Sequence, residues 1–343
     1  MPTVTRCTSD HAEEWDAFVA RVPAATFYHR WSWKTLNERQ LGHDTAYLAA
    51  RVDGRLTGVL PMVRVHTWLF GTIACTMPFV NYGGPASEDA DTERALVEAA
   101  ISQAHEWRAD YLELRTRHPL GGDLAVSQHK VSLTLELTPD PDVLWNRFKT
   151  GHRQEIRKAA KNGLSARFGP ELLDAFYSVV AESWHDLGTP FYRKRYFEDI
   201  LHTFGDRIRL CVLFDRAGRP AAAAMDGLHR DTVEGMWLGI RPQYRKQLAG
   251  YALYWELIKD ACERGFGIFH LGRSTADSGA ETFKKKWLAE ARPLFWHYHL
   301  PAGQPMPGLN VQNPKYQLAI KVWRQLPPAV VGAIGPSIAR GLP

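Results

Sequence analysis

Two segments of the chain repeat the same order of apolar and polar positions. In residues 46–65 an apolar run, an Asp-Gly pair and a second apolar run predict a β-hairpin. Residues 209–227 repeat this pattern, with a polar turn that contains glycine. Helical spacing of apolar residues follows each hairpin, over 91–107 and 250–263, and a strand pattern follows each helix.

The shared order of hairpin, helix and strand predicts duplication of one α/β unit. Chance is the alternative, because such pieces are common in α/β proteins. Residues 137–164 begin with a Pro-Asp-Pro turn and continue as a basic amphipathic helix, which puts the boundary near residue 140. We therefore expect an N-terminal domain over residues 1–140 and a C-terminal domain over residues 141–343, the latter with the active site.

Composition narrows the partners only a little. The formal charge of +5 suits phosphates, nucleotides, RNA or an anionic membrane face about equally. The four cysteines lie far apart, as reduced and buried thiols do. The N-terminal residues lack the pattern of a signal peptide, so we expect a cytoplasmic protein. Residues 326–343 are apolar but broken by proline and glycine, which favours packing on the body. Contact with the inner face of the membrane stays the alternative.

A basic stretch, RPQYRKQLAG, comes directly before the second predicted helix. Free backbone N–H groups and the helix dipole favour an anion at such a position. The order resembles the pyrophosphate loop of the GNAT acetyltransferases, Arg/Gln-x-x-Gly-x-Gly/Ala, with Arg245 and Gly250 as the cofactor-binding candidates. Leu248 stands where the first glycine belongs, and its Cβ hinders close approach of a pyrophosphate. Binding of coenzyme A is therefore in doubt.

A basic helical face lies near the start of the second domain. Arg153, Arg157 and Lys161 follow a spacing of four residues, and Lys158 lies beside them. Such a face is either simply solvated or a site for phosphates, for which the arginine fork is well suited.

Residues 267–287 end a strand in a small-residue loop and continue into three lysines. The loop supplies backbone donors, and the flanking aromatic residues would bury a lysine stem while its ammonium points inward. Surface solvation of the lysines is the alternative. The substrate-binding candidates in and beside this segment are Arg273, Ser274, Thr275, Ser278, Phe283, Trp287 and, on the preceding helix, Tyr254.

Four stretches of the chain together resemble a known family. RQEIRKAAKNGL, HDLGTPFYRKRYF, LGRSTADSGAETFKKKW and VWRQLPPAVVGAIGPSIARGLP are similar to the FemAB-like proteins associated with exosortase/PEP-CTERM and exopolysaccharide loci. That group is similar to the Fem aminoacyl ligases and to CelD/BcsL-like acyltransferases. The resemblance covers nearly the whole chain. It implies an α/β (α+β) fold of two tandem GNAT-like domains, each with a mixed central sheet flanked by helices.

The resemblance also assigns a reactive lysine. The Phe-Lys pair that places a lysine against the reacting carbonyl or phosphate in Fem ligases matches Phe283 and Lys284. Leu288 and Ala289 stand where the group commonly shows a glycine after the tryptophan. The coiled-coil arm of the larger Fem ligases has no counterpart, which weakens the case for tRNA.

If the protein is an acyltransferase, Lys284 is the candidate that stabilises the tetrahedral oxyanion. The resemblance to GNAT enzymes, which often place a carboxylate on the strand before the loop, implies Glu234 as the candidate general base, with Asp226 and His270 as weaker alternatives. We expect a transferase that acylates or aminoacylates an amino-sugar, peptide or lipid-linked saccharide precursor, of the cell-envelope, exopolysaccharide or peptidoglycan type. The expected binding partner is a phosphorylated sugar or lipid-linked saccharide. The acyl donor is open between acyl-CoA, acyl carrier protein and aminoacyl-tRNA, and neither a metal nor a permanently bound cofactor is expected. A catalytically inactive GNAT-like module that binds a phosphorylated glycan or a biosynthetic partner is the alternative. Nothing in the sequence predicts DNA binding.

Overall fold

The computed structural model describes residues 1–67, 71–307 and 314–342, which divide into two units. Unit 1 comprises Met1–Val131, Arg292–Gly308 and Arg340–Pro343, and unit 2 comprises Ser132–Ala291 and Leu309–Ala339. The predicted boundary near residue 140 lies close to Ser132, where the chain first passes from unit 1 to unit 2. The two units are not continuous as the predicted domains are, because the chain returns to unit 1 at Arg292.

Unit 1 consists of a sheet with helices on both faces. Its elements are β1 (Thr3–Arg6), α1 (Ala12–Arg21), α2 (Ser32–Gln40), β2 (Asp44–Val52), β3 (Arg55–Thr67), β4 (Gly71–Cys75), β5 (Ala86–Ser87), α3 (Ala90–Glu106) and β6 (Tyr111–Thr116). The strand β7 (Ala125–Glu136) begins in this unit and ends in unit 2.

The sheet of unit 1 has the strand order β1-β2-β3-β4-β6, and β5 pairs with β3. The first predicted hairpin is confirmed as β2 and β3. Asp53 and Gly54 both have positive φ, 49° and 79°, as a turn that follows the twist of its strands requires. Side chains alternate across β2, so Leu48 packs towards Leu96 of α3 while Tyr47 packs towards Trp15 of α1.

Unit 2 has the same kind of organisation. Its elements are α4 (Pro141–Arg147), α5 (Thr150–Lys161), β8 (Ser165–Phe168), α6 (Leu173–Asp186), α7 (Lys194–Phe204), β9 (Ile208–Phe214), β10 (Pro220–His229), β11 (Thr232–Ile240), α8 (Ala249–Glu263), β12 (Ile268–Thr275), α9 (Gly279–Lys285), α10 (Pro314–Gln325) and α11 (Pro328–Ala339). The strand β13 (Glu290–His299) lies mostly in unit 1, where it pairs antiparallel with β6.

The sheet of unit 2 has the strand order β7-β12-β11-β10-β9-β8. The second predicted hairpin is confirmed as β9 and β10, and the helix and strand predicted after it are α8 and β12. Helices cover both faces of this sheet. Trp237 packs against Phe197 of α7, while Arg209 binds the carbonyl oxygen of Leu257 in α8.

The parallel pair of β11 and β12 positions the candidate site. Its Cα partners run from Thr232 and Ile268 to Glu234 and His270, near the start of both strands. Both strands continue past this point, β11 to Ile240 and β12 to Thr275. The following helix α9 returns to the end of β12 and brings Lys284 to that end.

Candidate functional site

The site is built on β12 and the helix that follows it. We call the group formed by Glu234, His270, Gly272, Arg273 and Lys284 the β12 site. The sequence brings these residues together because β11 and β12 pair at Glu234 and His270, and α9 begins only four residues after β12. Ser278 caps α9 by accepting a hydrogen bond from the Glu281 N–H.

Lys284 is directed back towards β12 and not towards solvent. Its Nζ donates to the carbonyl oxygen of Gly272 at 3.2 Å and to that of Arg273 at 3.0 Å. An ammonium group has three N–H donors. Two of them bond to these carbonyl oxygens within the part of the chain that the structure describes, which leaves the third for a ligand. The ammonium is therefore held in place at the end of the strand, with one donor available.

The surroundings of Lys284 also change its proton affinity. Burial, and secondarily the positive charge of Arg273, lower the pKa of the Lys284 ammonium from its usual 10.5 to about 8. The side chain is still mainly charged at neutral pH. It loses its proton as the pH rises through the weakly alkaline range.

Gly272 makes room for this arrangement. Its φ is +76°, and a Cβ on this residue would lie 3.2 Å from the carbonyl oxygen of Gly235 and 3.7 Å from Lys284 Nζ. Backbone with positive φ is strained for residues other than glycine. Glycine is therefore needed here both for the backbone and for the close approach of β11.

We expect Gly272→Ala to lower the free energy of unfolding by about 1–2 kcal/mol, because alanine is strained at this φ and crowds β11. Gly279→Ala is the matched control, since a Cβ there meets nothing within 4 Å. Urea unfolding of both variants measures the difference. Equal stability of the two variants would show that Gly272 is not required by the backbone.

Next to Lys284 lies a buried chain of polar side chains. His270 Nε2 lies 2.5 Å from Ser132 Oγ, and His270 Nδ1 lies 3.3 Å from Glu234 Oε2. All three side chains are buried. His270 and Gly272 are two residues apart on β12, so their Cα atoms lie roughly 6–7 Å apart, at about 3.3 Å per strand residue.

Asp226, the weaker candidate for a base, has a different role. Arg209 Nη2 lies 2.7 Å from Asp226 Oδ2, and the same guanidinium binds Asp260 at 2.9 Å. Arg209 also donates to the Leu257 carbonyl oxygen, so this ion pair lies beneath α8. Asp226 is therefore a partner in a buried ion pair and not a group of the β12 site.

A cluster of aromatic rings packs against α9 and the tryptophan that follows it. Trp287 is fully buried, and its ring lies 4.4 Å from His152 and 5.8 Å from Tyr254, with Phe283 at 6.2 Å. Trp287 is therefore part of the packing beneath α9, and its contact with a substrate stays a prediction. The buried Tyr254 shares its position under α9. These rings hold the helix that carries Lys284.

His152 was not identified as important from the sequence. Both ring nitrogens are buried without a hydrogen-bond partner among the described residues. Burial, followed by the nearby Lys286 charge, lowers the pKa of His152 to about 4, so its ring is neutral at pH 7 and behaves as an aromatic side chain. The histidine in TGHRQE is not distinguishable by pattern from those on the surface.

The predicted loop residues take several different positions. Arg273 is half-buried beside Lys284, and Thr275 is exposed. Ser274 is buried, and its hydroxyl has no partner among the residues described by the structure. Ser278 uses its hydroxyl to cap α9, so a structural role accounts for it.

The start of α8 does not have the geometry of a pyrophosphate loop. Leu248 has φ +60° there, the conformation that glycine adopts at least cost. Residues 242–247 form a 3₁₀ helix, and the Leu248 N–H donates to Arg245 within it. Arg245 binds Asp186 at 2.6 Å. Gly250 packs near Phe283 and Ile240. Arg245 is thus paired with a carboxylate and Gly250 lies against two apolar side chains, and binding of coenzyme A by these residues stays a prediction.

The basic residues of α5 face mostly outwards. The Arg157 guanidinium lies over the Trp145 ring, and Lys158 and Lys161 are exposed. Arg153 is half-buried. The opposite face of α5 packs into the unit through His152, which contacts Trp287. The structure thus joins α5 to the residues directly after α9 through the buried face of α5.

Unit 1 has a cleft of its own. It is lined by Ala24, His29, Tyr82, Gly84, Pro85, Arg115, Thr116, Arg117 and His118. Arg115 is buried, binds Glu113 at 2.6 Å and stacks on Trp296. These contacts account for Arg115 as a structural ion pair. The four cysteines are all buried and free.

Comparison with known proteins is informative for the fold. Residues 146–285 match the family described as acetyltransferase (GNAT) domain, and this range contains most of unit 2 with Glu234, His270 and Lys284. A search of curated proteins found no match.

Three solved structures resemble the chain over most of its length. FemX is 16% identical, with 86% of this chain and 96% of FemX covered and a TM-score of 0.66. The tandem GNAT protein from the clavulanic acid biosynthesis pathway is 11% identical, with coverage of 87% and 98% and a TM-score of 0.54. The fold is that of tandem GNAT proteins.

The third structure is the C-terminal domain of a putative lysylphosphatidylglycerol synthetase from Agrobacterium fabrum. It is 13% identical, with coverage of 84% and 91% and a TM-score of 0.56. The predicted fold of two tandem GNAT-like domains is confirmed. Identities this low establish the fold and leave the reaction to be argued from the site.

Proposed function

We propose that the protein is an acyltransferase, by N-acyl or aminoacyl transfer, and that the reaction takes place at the β12 site. The observation that carries the proposal is the position of Lys284. Two carbonyl oxygens hold its ammonium at the end of β12, and one N–H remains for a reacting oxygen. The GNAT match over residues 146–285 supports the same reaction class.

In this reaction the nitrogen of an acceptor amine attacks the carbonyl carbon of an acyl donor. The carbonyl oxygen becomes negative in the tetrahedral intermediate, and the free N–H of Lys284 donates to it. Collapse of the intermediate breaks the bond to the leaving group and re-forms the carbonyl. A donor that is fixed before the reaction stabilises the transition state without reorganisation, which is why the two carbonyl contacts of Lys284 matter.

The amine must also lose a proton. Glu234, with His270 beside it and Ser132 behind, is the group we propose to accept it. A carboxylate, an imidazole and a hydroxyl in sequence can pass a proton along the chain or keep the histidine in one tautomer. Asp226 is excluded from this role by its ion pair with Arg209.

The identity of the acyl donor is less well determined than that of the acceptor. Leu248 and the 3₁₀ helix before it do not fit the pyrophosphate of coenzyme A. We therefore favour a donor recognised in another way, such as an acyl carrier protein thioester or an aminoacyl-tRNA. The resemblance to the Fem aminoacyl ligases supports aminoacyl transfer.

For the acceptor we propose a cell-envelope or exopolysaccharide precursor that carries phosphate, in agreement with the resemblance to proteins of exosortase/PEP-CTERM loci. The exposed Arg157, Lys158 and Lys161 supply positive charge beside α9 for such a phosphate. The likeness to a putative lysylphosphatidylglycerol synthetase supports a lipid-linked acceptor.

An inactive binding module is the second candidate, and the Leu248 geometry favours it, because an acetyltransferase without a pyrophosphate loop has lost its usual donor. Incubation with acyl-CoA, acyl carrier protein thioesters or charged tRNA, together with amino-sugar or lipid-linked acceptors, separates the two. Mass spectrometry of the acceptor reports transfer. A product with any donor supports the transferase. Tight binding of the acceptor without a product from any donor would leave the binding module as the better account.

A further inference from the structure

The last two helices present an exposed aliphatic strip. Five of the eleven large hydrophobic side chains that are exposed in the described part of the chain lie between residues 318 and 338. Their exposed fractions are 61% for Leu318, 50% for Val322, 40% for Val330, 43% for Ile334 and 40% for Ile338. We call these five residues the aliphatic strip.

The strip follows helical spacing on both helices. Leu318 and Val322 are four residues apart on α10, and Val330, Ile334 and Ile338 are four apart on α11. Side chains four residues apart share one face of a helix. Each helix therefore has a continuous aliphatic face that is exposed to solvent.

The inner faces of the same helices are packed in unit 2. Trp323 of α10 is buried and lies 3.4 Å from the position of a Cβ on Gly335 of α11. The His185 ring contacts the Trp323 carbonyl oxygen at 3.0 Å, and Arg324 donates to the Leu187 carbonyl oxygen at 3.2 Å. The outward direction of the strip is thus fixed by packing on its opposite side.

Charge indicates what covers the strip. Residues 314–340 contain Lys315, Lys321, Arg324 and Arg340 and no aspartate or glutamate. A second copy related by two-fold symmetry would bring these like charges together without an acidic partner from the same segment. An anionic lipid surface offers negative charge and an apolar layer at once, as basic amphipathic helices require.

We propose that α10 and α11 bind the surface of an anionic bilayer, with the aliphatic strip inserted and the exposed Lys321 at the level of the headgroups. Each helix has twelve residues, about 18 Å at 1.5 Å per residue, which is too short to cross a bilayer core of about 30 Å. None of the helices in the described ranges is long and apolar enough to cross a membrane. Binding is therefore peripheral and in the plane of the interface.

Sedimentation with vesicles tests the proposal and needs no enzyme assay. The full chain is mixed with vesicles of phosphatidylcholine alone or with 30% phosphatidylglycerol, at low and high salt. We expect binding to the anionic vesicles that salt weakens. The triple variant Val330→Gln, Ile334→Gln and Ile338→Gln should bind about 10–100-fold more weakly, because it removes the apolar contribution. These side chains are exposed, so folding should be retained, and circular dichroism checks it.

The double variant Val126→Gln and Val143→Gln is the matched control, because these valines are equally exposed but lie outside the strip. It should bind the vesicles as the unchanged chain does. Lys321→Glu should weaken binding to anionic vesicles. No binding to either kind of vesicle, or equal binding by the triple variant and the control, would overturn the proposal. A dimer that the triple variant converts to a monomer in size-exclusion chromatography, without vesicle binding, would identify the strip as a contact between copies.

Discussion

Lys284→Met should lower the rate of acyl transfer by about 10²–10³-fold, the usual cost of removing one donor to a tetrahedral oxyanion. Methionine is an unbranched side chain that fills much of the same space but has no N–H. The effect should appear in kcat as well as in kcat/KM, because the donor acts mainly in the transition state. Steady-state kinetics with the donor identified by mass spectrometry gives both constants.

Lys285→Met is the control for this variant. Lys285 is exposed and binds Glu281 within α9, so its removal leaves the β12 site intact. We expect its transfer rate to stay within about twofold of the unchanged protein, since surface ion pairs contribute little. Equal losses in the two variants would show that general positive charge, and not the position of Lys284, supports the reaction.

Glu234→Gln should lower kcat by about 10²–10⁴-fold, because glutamine fills the same space but cannot accept the proton of the amine. Ser132→Ala should have a smaller effect, since Ser132 contacts His270 and not the reacting atoms. If Glu234 has only a structural role, Glu234→Gln should lower the melting temperature, and its kcat should not fall further than that of Ser132→Ala. Parallel kinetics and thermal unfolding of both variants distinguish the two roles.

Asp226→Asn tests whether the base is correctly assigned. It leaves the buried Arg209 with less compensation, so we expect the free energy of unfolding to fall by about 3–5 kcal/mol. The transfer rate per folded molecule should remain close to that of the unchanged protein. A folded Asp226→Asn variant without activity, beside an active Glu234→Gln variant, would reverse the assignment.

The sequence predicted those parts of the fold that depend on residues close together along the chain. The Asp53-Gly54 pair specifies a hairpin because both residues adopt positive φ, and the apolar spacing in 250–263 specifies a helix with one buried face. The return of the chain to unit 1 at β13 has no local signal. Pairing between β13 and β6 joins residues far apart in sequence, and periodicity does not reveal the partner of a strand.

The candidate site, like the fold, was predictable from the sequence only where its residues are neighbours along the chain. A lysine in an unusual setting could be identified, because the small-residue loop and the Phe-Lys pair are neighbours in sequence. Ser132 could not, because its contact with His270 spans 138 residues. The burial of Trp287 could not be predicted either, since an aromatic residue beside a lysine has the same pattern whether it lines a cleft or fills a core.

The pH dependence of transfer tests most directly whether the Lys284 ammonium meets the developing negative charge. Its pKa is lowered to about 8, so the charged form predominates below this pH and is lost above it. We predict that kcat falls as the pH rises through about 8, and that binding of an unreactive donor analogue weakens over the same range. The analogue separates this change from ionisation of the acceptor amine, which alone would raise the rate. A rate and an affinity that stay constant or increase up to pH 9.5 would contradict the account.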